Sequence, residues 1–328
     1  METLLENGIV INLFFQNLGN WLKSPMELFS FLGTELFFLV VIPAIYWCWN
    51  TALGIRIGLL LMISASLNSA LKLVLHQPRP YWYDPIVKGL AEESSFGIPS
   101  GHAQNALAVW GGIASWLKRP WAWGVAILVI LLIGLSRLYL GVHFPTDVLA
   151  GWLFGGLILL AYLRLEKPLQ TRLAEQSLAI QIATAFLGSL LLILLTILAR
   201  ATSAGFVVPT EWVENARQAF PESEPINPLG ISGVFSNAGV LFGLAVGVIL
   251  LRRQGGLDPG GPAWQRLVRF VIGLIGVVGL YFGLSLIFPH GEDLLANLLR
   301  YVRYGLVGLW VSWLAPLVFR SLKLARPS

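Results

Sequence analysis

Long apolar runs, each near the length of a bilayer crossing, alternate with short polar breaks along most of this chain. They fall at about 28–49, 53–75, 102–118, 121–140, 146–164, 178–199, 231–251, 267–288 and 303–320. A soluble core helix carries roughly 10 to 14 apolar residues in succession, whereas a membrane span needs about 20. The pattern therefore predicts nine spans. The first closes on Tyr46, Trp47 and Trp49, which reads as an aromatic belt at a membrane interface. Residues 5–22 are also apolar, yet they carry Glu6 and four asparagines, and unpaired amides are costly in hydrocarbon. This stretch is predicted to lie at the interface or insert halfway rather than to cross. No lysine or arginine precedes Lys23, so the basic head of a cleaved export signal is not expected.

Composition agrees with the pattern: 56% of residues are hydrophobic and only 12% charged. The mean hydropathy of +0.73 exceeds what a soluble globular chain carries. The predicted fold class is all-α, a polytopic transmembrane helical bundle of about nine spans plus an N-terminal interfacial helix. The single cysteine, Cys48, has no partner for an intrachain disulfide and reads as a small buried hydrophobe. Three loops are longer than the rest. Residues 76–101 are rich in Pro, Tyr, Trp and Glu, 201–228 carry four glutamates against one arginine, and 252–266 are basic and glycine-rich. No repeat or low-complexity tract divides the chain, but 165–177 can separate a front half, 1–165, from a back half, 166–328, of unassigned role.

Nine spans place successive loops on alternate sides, so the cations orient the protein. Of the 22 lysines and arginines, thirteen fall on the face that holds 252–266 and the C-terminal end, and nine on the other. The first face is expected to be cytoplasmic. Most acidic residues lie on the second, which is expected to face away from the cytoplasm, across a plasma membrane in a bacterium or the endoplasmic reticulum in a eukaryote.

Polar chemistry concentrates on that second face. Residues 136–147 read S-R-L-Y-L-G-V-H-F-P-T-D. Pro145 suits the first turn of a helix and pushes Phe144 out of helical geometry, so a helix should begin just after His143. Asp147, one turn along, can hold one imidazole nitrogen of His143 and leave the other free, with Arg137 as a fixed cation beside them. Lys72 and Arg79-Pro80 follow the second span, with Lys72 still helical and Arg79 past a break at Pro78. At 99–102 stands P-S-G-H, where Ser100 can cap a helix and Gly101 lets backbone approach a ligand. Free N–H groups at a helix start form an anion site. Lys72, Arg79, Arg137 and the Ser100 and Gly101 amides can surround one phosphate, with His102 and His143 on opposite sides of its phosphorus.

Each piece has a bland alternative. Lys72 and Arg79 singly could be membrane-flanking cations that snorkel to headgroups, His143 with Asp147 a capping pair, and His102 an interfacial histidine. All three stretches on one membrane face make a less probable coincidence. His76 and His290 are expected to be loop histidines. Two histidines and an aspartate can also hold zinc or iron, but three cations at the same place would repel the ion and themselves neutralise a phosphate. Metal-independent chemistry is expected, with no cofactor and no nucleic-acid partner.

At these residues the chain resembles the type-2 phosphatidic acid phosphatase superfamily, whose signature is K-x6-R-P, P-S-G-H and S-R-x5-H-x3-D. All three parts are present without substitution. The resemblance implies that His143 is the nucleophile and forms a phosphohistidine, that Asp147 orients it, and that His102 protonates the leaving alcohol and then activates water. It likewise implies phosphate binding by Lys72, Arg79, Arg137, Ser100 and Gly101. In span count and motif placement the chain looks more like nine-span glucose-6-phosphatase and the sphingosine-1-phosphate phosphatases than like the six-span bacterial type. The leading expectation is a membrane phosphatase acting on a lipid phosphate or pyrophosphate among membrane lipids, because the site should lie at headgroup depth and Tyr81, Trp82, Tyr83 and Phe96 can anchor there. A sugar phosphate as substrate, a phosphotransferase, a transporter or scramblase that only binds phosphate, and a structural protein with a vestigial site stand as alternatives. Nothing in the sequence fixes the oligomeric state.

Overall fold

The computed structural model describes residues 2–328. Among the described residues there are α-helices and no β-strand. In order they are α1 Glu2–Gln16, α2 Lys23–Phe31, α3 Glu35–Cys48, α4 Thr51–Leu75, the short α5 Pro80–Tyr83, α6 Gly101–Leu117 and α7 Pro120–Tyr139. Then follow α8 Pro145–Ala174, α9 Leu178–Thr202, α10 Thr210–Ala219, α11 Ser232–Arg253, α12 Ala263–Ser285, α13 Leu294–Leu309 and α14 Ala315–Ser321. The last two are continuous through a π-helical turn at Trp310–Leu314.

Helices stand at all nine predicted positions. Seven are long and apolar enough to cross a membrane, or eight if α2 and α3 are taken as one bent span. α6 has only 17 residues and carries His102, Gln104 and Asn105, which lower its apolar character. Residues 5–22 do not form one helix. α1 stops at Gln16, the chain turns at Gly19 with φ +113°, and a 3-10 turn leads into α2. At 1.5 Å per residue α1 reaches about 22 Å, short of a hydrocarbon core. The run 28–49 is likewise two helices, bent by 50° at residues 32–34. There the Thr34 hydroxyl donates to the Phe31 carbonyl at 2.8 Å and accepts from Phe37 N–H at 3.2 Å, ending one helix and capping the next.

The chain gathers into two compact units. The first takes the chain up to Phe37, Leu67–Leu159 and Thr196–Gly230; the second takes Phe38–Ser66, Leu160–Leu195 and Ile231–Ser328. In the first, α1, α2 and α6 pack on α7. Alanines 106, 114, 122 and 126 with Ile130 and Ile133 form the α6–α7 seam, their small side chains letting the helices approach.

In the second unit α11 lies against α13 through glycines. A Cβ on Gly239 would collide with the Tyr301 carbonyl and one on Gly243 with that of Gly305. Small residues every fourth position are how membrane helices gain close van der Waals contact without a hydrophobic driving force. Tyr46 and Trp47, read from sequence as an interfacial belt, are instead core residues here. Tyr46 donates to the Ser312 carbonyl at 2.9 Å, Trp47 Nε1 to that of Val311 at 2.8 Å, and Trp47 meets Phe319 edge to face. Trp49 is exposed, as a belt residue would be. Arg269 donates to the carbonyls of Asp258, Pro259 and Gly260, so this predicted cytoplasmic cation is tied to its own loop.

Candidate active site

All eight candidate residues belong to the first compact unit. Lys72 ends α4 as expected and is buried, with Nζ donating to Ser95 Oγ at 2.8 Å. Arg79 precedes Pro80, the first residue of α5, and is fully buried. Its Nε donates to the Ser95 carbonyl at 2.6 Å, Nη1 to that of Val142 at 3.0 Å and Nη2 to that of Phe96 at 3.2 Å. Trp82 covers the guanidinium at 5.7 Å. Burying a cation this deeply costs several kcal/mol unless its donors are satisfied, and the carbonyls of Ser95, Phe96 and Val142 satisfy them.

Pro145 opens α8 as the sequence predicts, and Asp147 falls in its first turn. Asp147 Oδ2 accepts from Phe144 N–H at 2.9 Å and lies 3.2 Å from Nδ1 of His143. On the other side of the ring, Nη1 of Arg79 lies 3.2 Å from Nε2. Burial first, then Arg79, Arg137, Lys72 and His102, hold the His143 imidazole well below its ordinary pKa, so it is neutral. Asp147 Oδ1 is buried without a hydrogen-bond partner.

Ser100 caps α6, with Oγ accepting from Ala103 N–H. Its own N–H donates to the Asp147 carbonyl at 2.9 Å. The Ser100 amide is therefore spoken for and joins the start of α6 to the start of α8, unlike the expectation that it turns to phosphate. The N–H groups of Gly101 and His102 belong to the first turn, which no intrahelical carbonyl can satisfy. Gly101 is also closely packed, since a Cβ there would come within 3.1 Å of Asn68 Oδ1. His102 lies against Gly33, at the α2–α3 bend. Arg137, in the last turn of α7, donates to Ser30 Oγ and to Glu93 Oε1.

Several residues of the site escaped the sequence reading. Glu93 pairs with both Arg137 and Arg79, the latter at 3.2 Å. Burial alone would raise its carboxyl, but Arg79, Arg137, His102 and Lys72 outweigh that and hold it below the ordinary carboxylate range. A cluster of buried cations demands a counter-charge, and the adjacent glutamates of the 76–101 loop were the visible source. Asn12 of α1, fully buried, donates from Nδ2 to the carbonyls of Leu138 at 2.8 Å and His143 at 3.1 Å. Gln16 bonds the carbonyls of Lys88 and Tyr139. One of the asparagines that made this stretch a poor membrane span, Asn12, thus joins Gln16 in tying α1 to the 138–143 segment.

The aromatics of the 76–101 loop also differ from expectation. Tyr81, Trp82 and Phe96 are buried, packed with Tyr139, Val142, Phe206, Trp212 and Phe220, and do not anchor to an interface. Their partners come from the 201–228 loop, where α10 had no assigned role. Asn215 donates to the Trp82 carbonyl at 2.9 Å, and Phe206 stacks on His76, whose Nε2 lies 2.6 Å from Ser203 Oγ. His76 is therefore a brace between loops. His290 is exposed, as read from the sequence.

Comparison with known proteins follows the same residues. The PAP2 superfamily model matches residues 53–170, and a model described as PAP2 superfamily phosphatase, transmembrane extension, matches 235–327. Phosphatidylglycerophosphatase B of Bacillus subtilis is 34% identical over 151 residues, which cover 42% of this chain and 72% of that protein. Undecaprenyl-diphosphatase of Sulfolobus acidocaldarius is 32% identical over 128 residues, 38% of this chain and 61% of that protein, less than two thirds of its length. Glucose-6-phosphatase 3 of Rattus norvegicus is 29% identical over 255 residues, covering 70% of this chain and 72% of its own length.

Proposed function

The chain belongs to the PAP2 superfamily, and from that membership we propose that it removes phosphate from a lipid phosphate or diphosphate through a phosphohistidine on His143, without a metal. The observation that carries this reading is the setting of His143 between an oriented carboxylate and a cluster of cations. His143 Nε2 attacks phosphorus as the bond to the leaving oxygen breaks, and His102 gives that oxygen its proton. His102 then takes a proton from water, whose oxygen bonds to phosphorus as the N–P bond breaks, releasing inorganic phosphate. Asp147 keeps Nδ1 protonated and stabilises the ring as charge develops. Lys72, Arg79, Arg137 and the Gly101 and His102 amides take the equatorial oxygens, supplying the charge that metal ions supply elsewhere. In this reading the reacting groups all lie within residues 1–165, while the compact unit that holds them also takes Thr196–Gly230 from the back half, and the site opens to the extracytoplasmic side.

The names of the first two relatives favour lipid phosphates; the third favours a sugar phosphate and extends well beyond the motifs. The lipid reading is supported by the position of Lys72 and Arg137 in the last turns of two helices long and apolar enough to cross a membrane. The deciding experiment is release of inorganic phosphate by purified protein in mixed micelles from phosphatidic acid, phosphatidylglycerophosphate, a polyprenyl diphosphate and glucose 6-phosphate. A lipid substrate with surface-dilution kinetics supports the proposal. A higher kcat/KM for glucose 6-phosphate than for every lipid contradicts its lipid part, and no release from any of them contradicts the whole.

A further inference from the structure

The strongest cations of the site are already engaged by a carboxylate. Glu93 spans Arg79 and Arg137, the two guanidiniums that a phosphate would need. The remaining Arg79 donors go to the 95–96 segment, Val142 and His143, and Nη1 of Arg137 goes to Ser30. Nε of Arg137 is buried without a partner, but a phosphate that takes the Nη2 donors of both arginines must displace Glu93. The Glu93 backbone is pinned, because its carbonyl accepts from the Tyr81 hydroxyl at 3.1 Å and its N–H donates to that oxygen at 3.3 Å. Only the side chain is free to move, and it has somewhere to go. A cavity of about 370 Å³ is lined by Tyr81, Glu92, Glu93, Arg217, Phe220 and Ile226 among others. Arg217, exposed on α10, is the cation of that lining, which also holds Glu92 and Glu224.

We propose that Glu93 is a built-in stand-in for phosphate, holding Arg79 and Arg137 in the resting site and withdrawing into this cavity toward Arg217 when a phosphate enters. The inference rests on the reading of the cation cluster as a phosphate site. It gives the 201–228 loop a part in the reaction: it receives the displaced carboxylate. It also gives the buried guanidiniums of Arg79 and Arg137 a counter-charge whenever phosphate is not bound. A ligand that binds only the open form has its affinity reduced by the open fraction, so a site closed nine-tenths of the time binds phosphate about tenfold more weakly than one held open.

The test is calorimetric titration of inorganic phosphate into the full-length protein in detergent, for wild type, Glu93→Gln and Arg217→Ala. Glu93→Gln is expected to bind phosphate about tenfold more tightly or better. If Glu93 merely holds the arginines in place, removing its charge leaves affinity unchanged or weaker, and that result overturns the proposal. Arg217→Ala, an exposed change that does not threaten folding, is expected to weaken phosphate severalfold. Should Glu93→Gln fail to fold, an unchanged affinity in Arg217→Ala overturns it instead. Phosphate binding by wild type with no gain in Glu93→Gln removes this inference alone, whereas binding by neither protein removes the phosphate-site reading as well.

Discussion

Nη1 of Arg79 lies 3.2 Å from Nε2 of His143. A guanidinium carries donors and no acceptor, so Nε2 must present its lone pair and the ring proton must sit on Nδ1. Nδ1 faces Asp147 Oδ2 at 3.2 Å, which accepts that proton. Two residues on opposite sides of one imidazole thus fix the tautomer in which Nε2 presents its lone pair, the form that the proposed nucleophile requires. On the proposed mechanism, Arg79 moves this donor from Nε2 to a phosphate oxygen as Glu93 releases its Nη2, which uncovers the attacking atom.

This arrangement separates two substitutions at Asp147. Phe144 N–H pins an acceptor at the Oδ2 position, so Asp147→Asn should place its amide oxygen there and still accept from His143 Nδ1. The tautomer survives and only the charge is lost. Activity is expected to fall about ten- to a hundredfold in Asp147→Asn, but about a thousandfold or more in Asp147→Ala, which loses both acceptor and turn. Equal losses in kcat for the two variants would contradict the pinned-oxygen account.

Asn12 makes a second test, remote from the chemistry in sequence. Asn12→Ala leaves the Leu138 and His143 carbonyls without their donor inside a buried region, a cost of about 1–3 kcal/mol. The expected result is a lower melting temperature with kcat reduced about tenfold. Unchanged kcat and melting temperature would show that α1 does not fasten the catalytic loop.

The neutral state of His143 has a pH signature. Its folded-state pKa is held below the unfolded value, so on acidification the unfolded chain takes up a proton near pH 6.5 that the folded chain refuses. The stability this neutral ring contributes is present above that pH and lost as pH falls, at up to about 1.4 kcal/mol per pH unit. Denaturant unfolding between pH 7 and pH 5 should therefore show a steeper decline for wild type than for His143→Gln. Parallel slopes would mean that His143 is not held neutral.

Orientation is open to labelling. With Cys48→Ala as background, a cysteine at Ser94, exposed in the loop of the site, should react with a membrane-impermeant reagent outside intact cells. A cysteine at Glu175, exposed between α8 and α9, should not. The reverse pattern would place the site in the cytoplasm.

The residues legible from sequence were those in short motifs, where spacing and chemistry coincide: Lys72 with Arg79, Ser100 to His102, and Arg137 to Asp147. What escaped was fixed by distance along the chain. Glu93 meets Arg137 across 44 positions and Asn12 meets His143 across 131, separations at which no periodicity operates. Tyr46, Trp47, Tyr81 and Trp82 went astray for another reason. An aromatic with one polar atom suits a membrane interface and a buried pocket equally, and only the partners, here Ser312, Val311 and the 201–228 loop, decide between them. The bend at Gly33 and Thr34 was hidden because an apolar run records burial and not direction.

Trapping the phosphoryl group that His143 is proposed to carry is the decisive experiment. Wild type and His102→Ala are mixed with a labelled substrate, quenched under alkaline conditions that preserve phosphohistidine, and analysed by peptide mass spectrometry. An acid-labile phosphoryl group is expected on His143, accumulating in His102→Ala because water attack is slowed by about a hundredfold or more, and absent from His143→Ala. A His143→Ala protein that keeps a substantial share of wild-type turnover, or a phosphoryl group found on another residue, would contradict that role for His143.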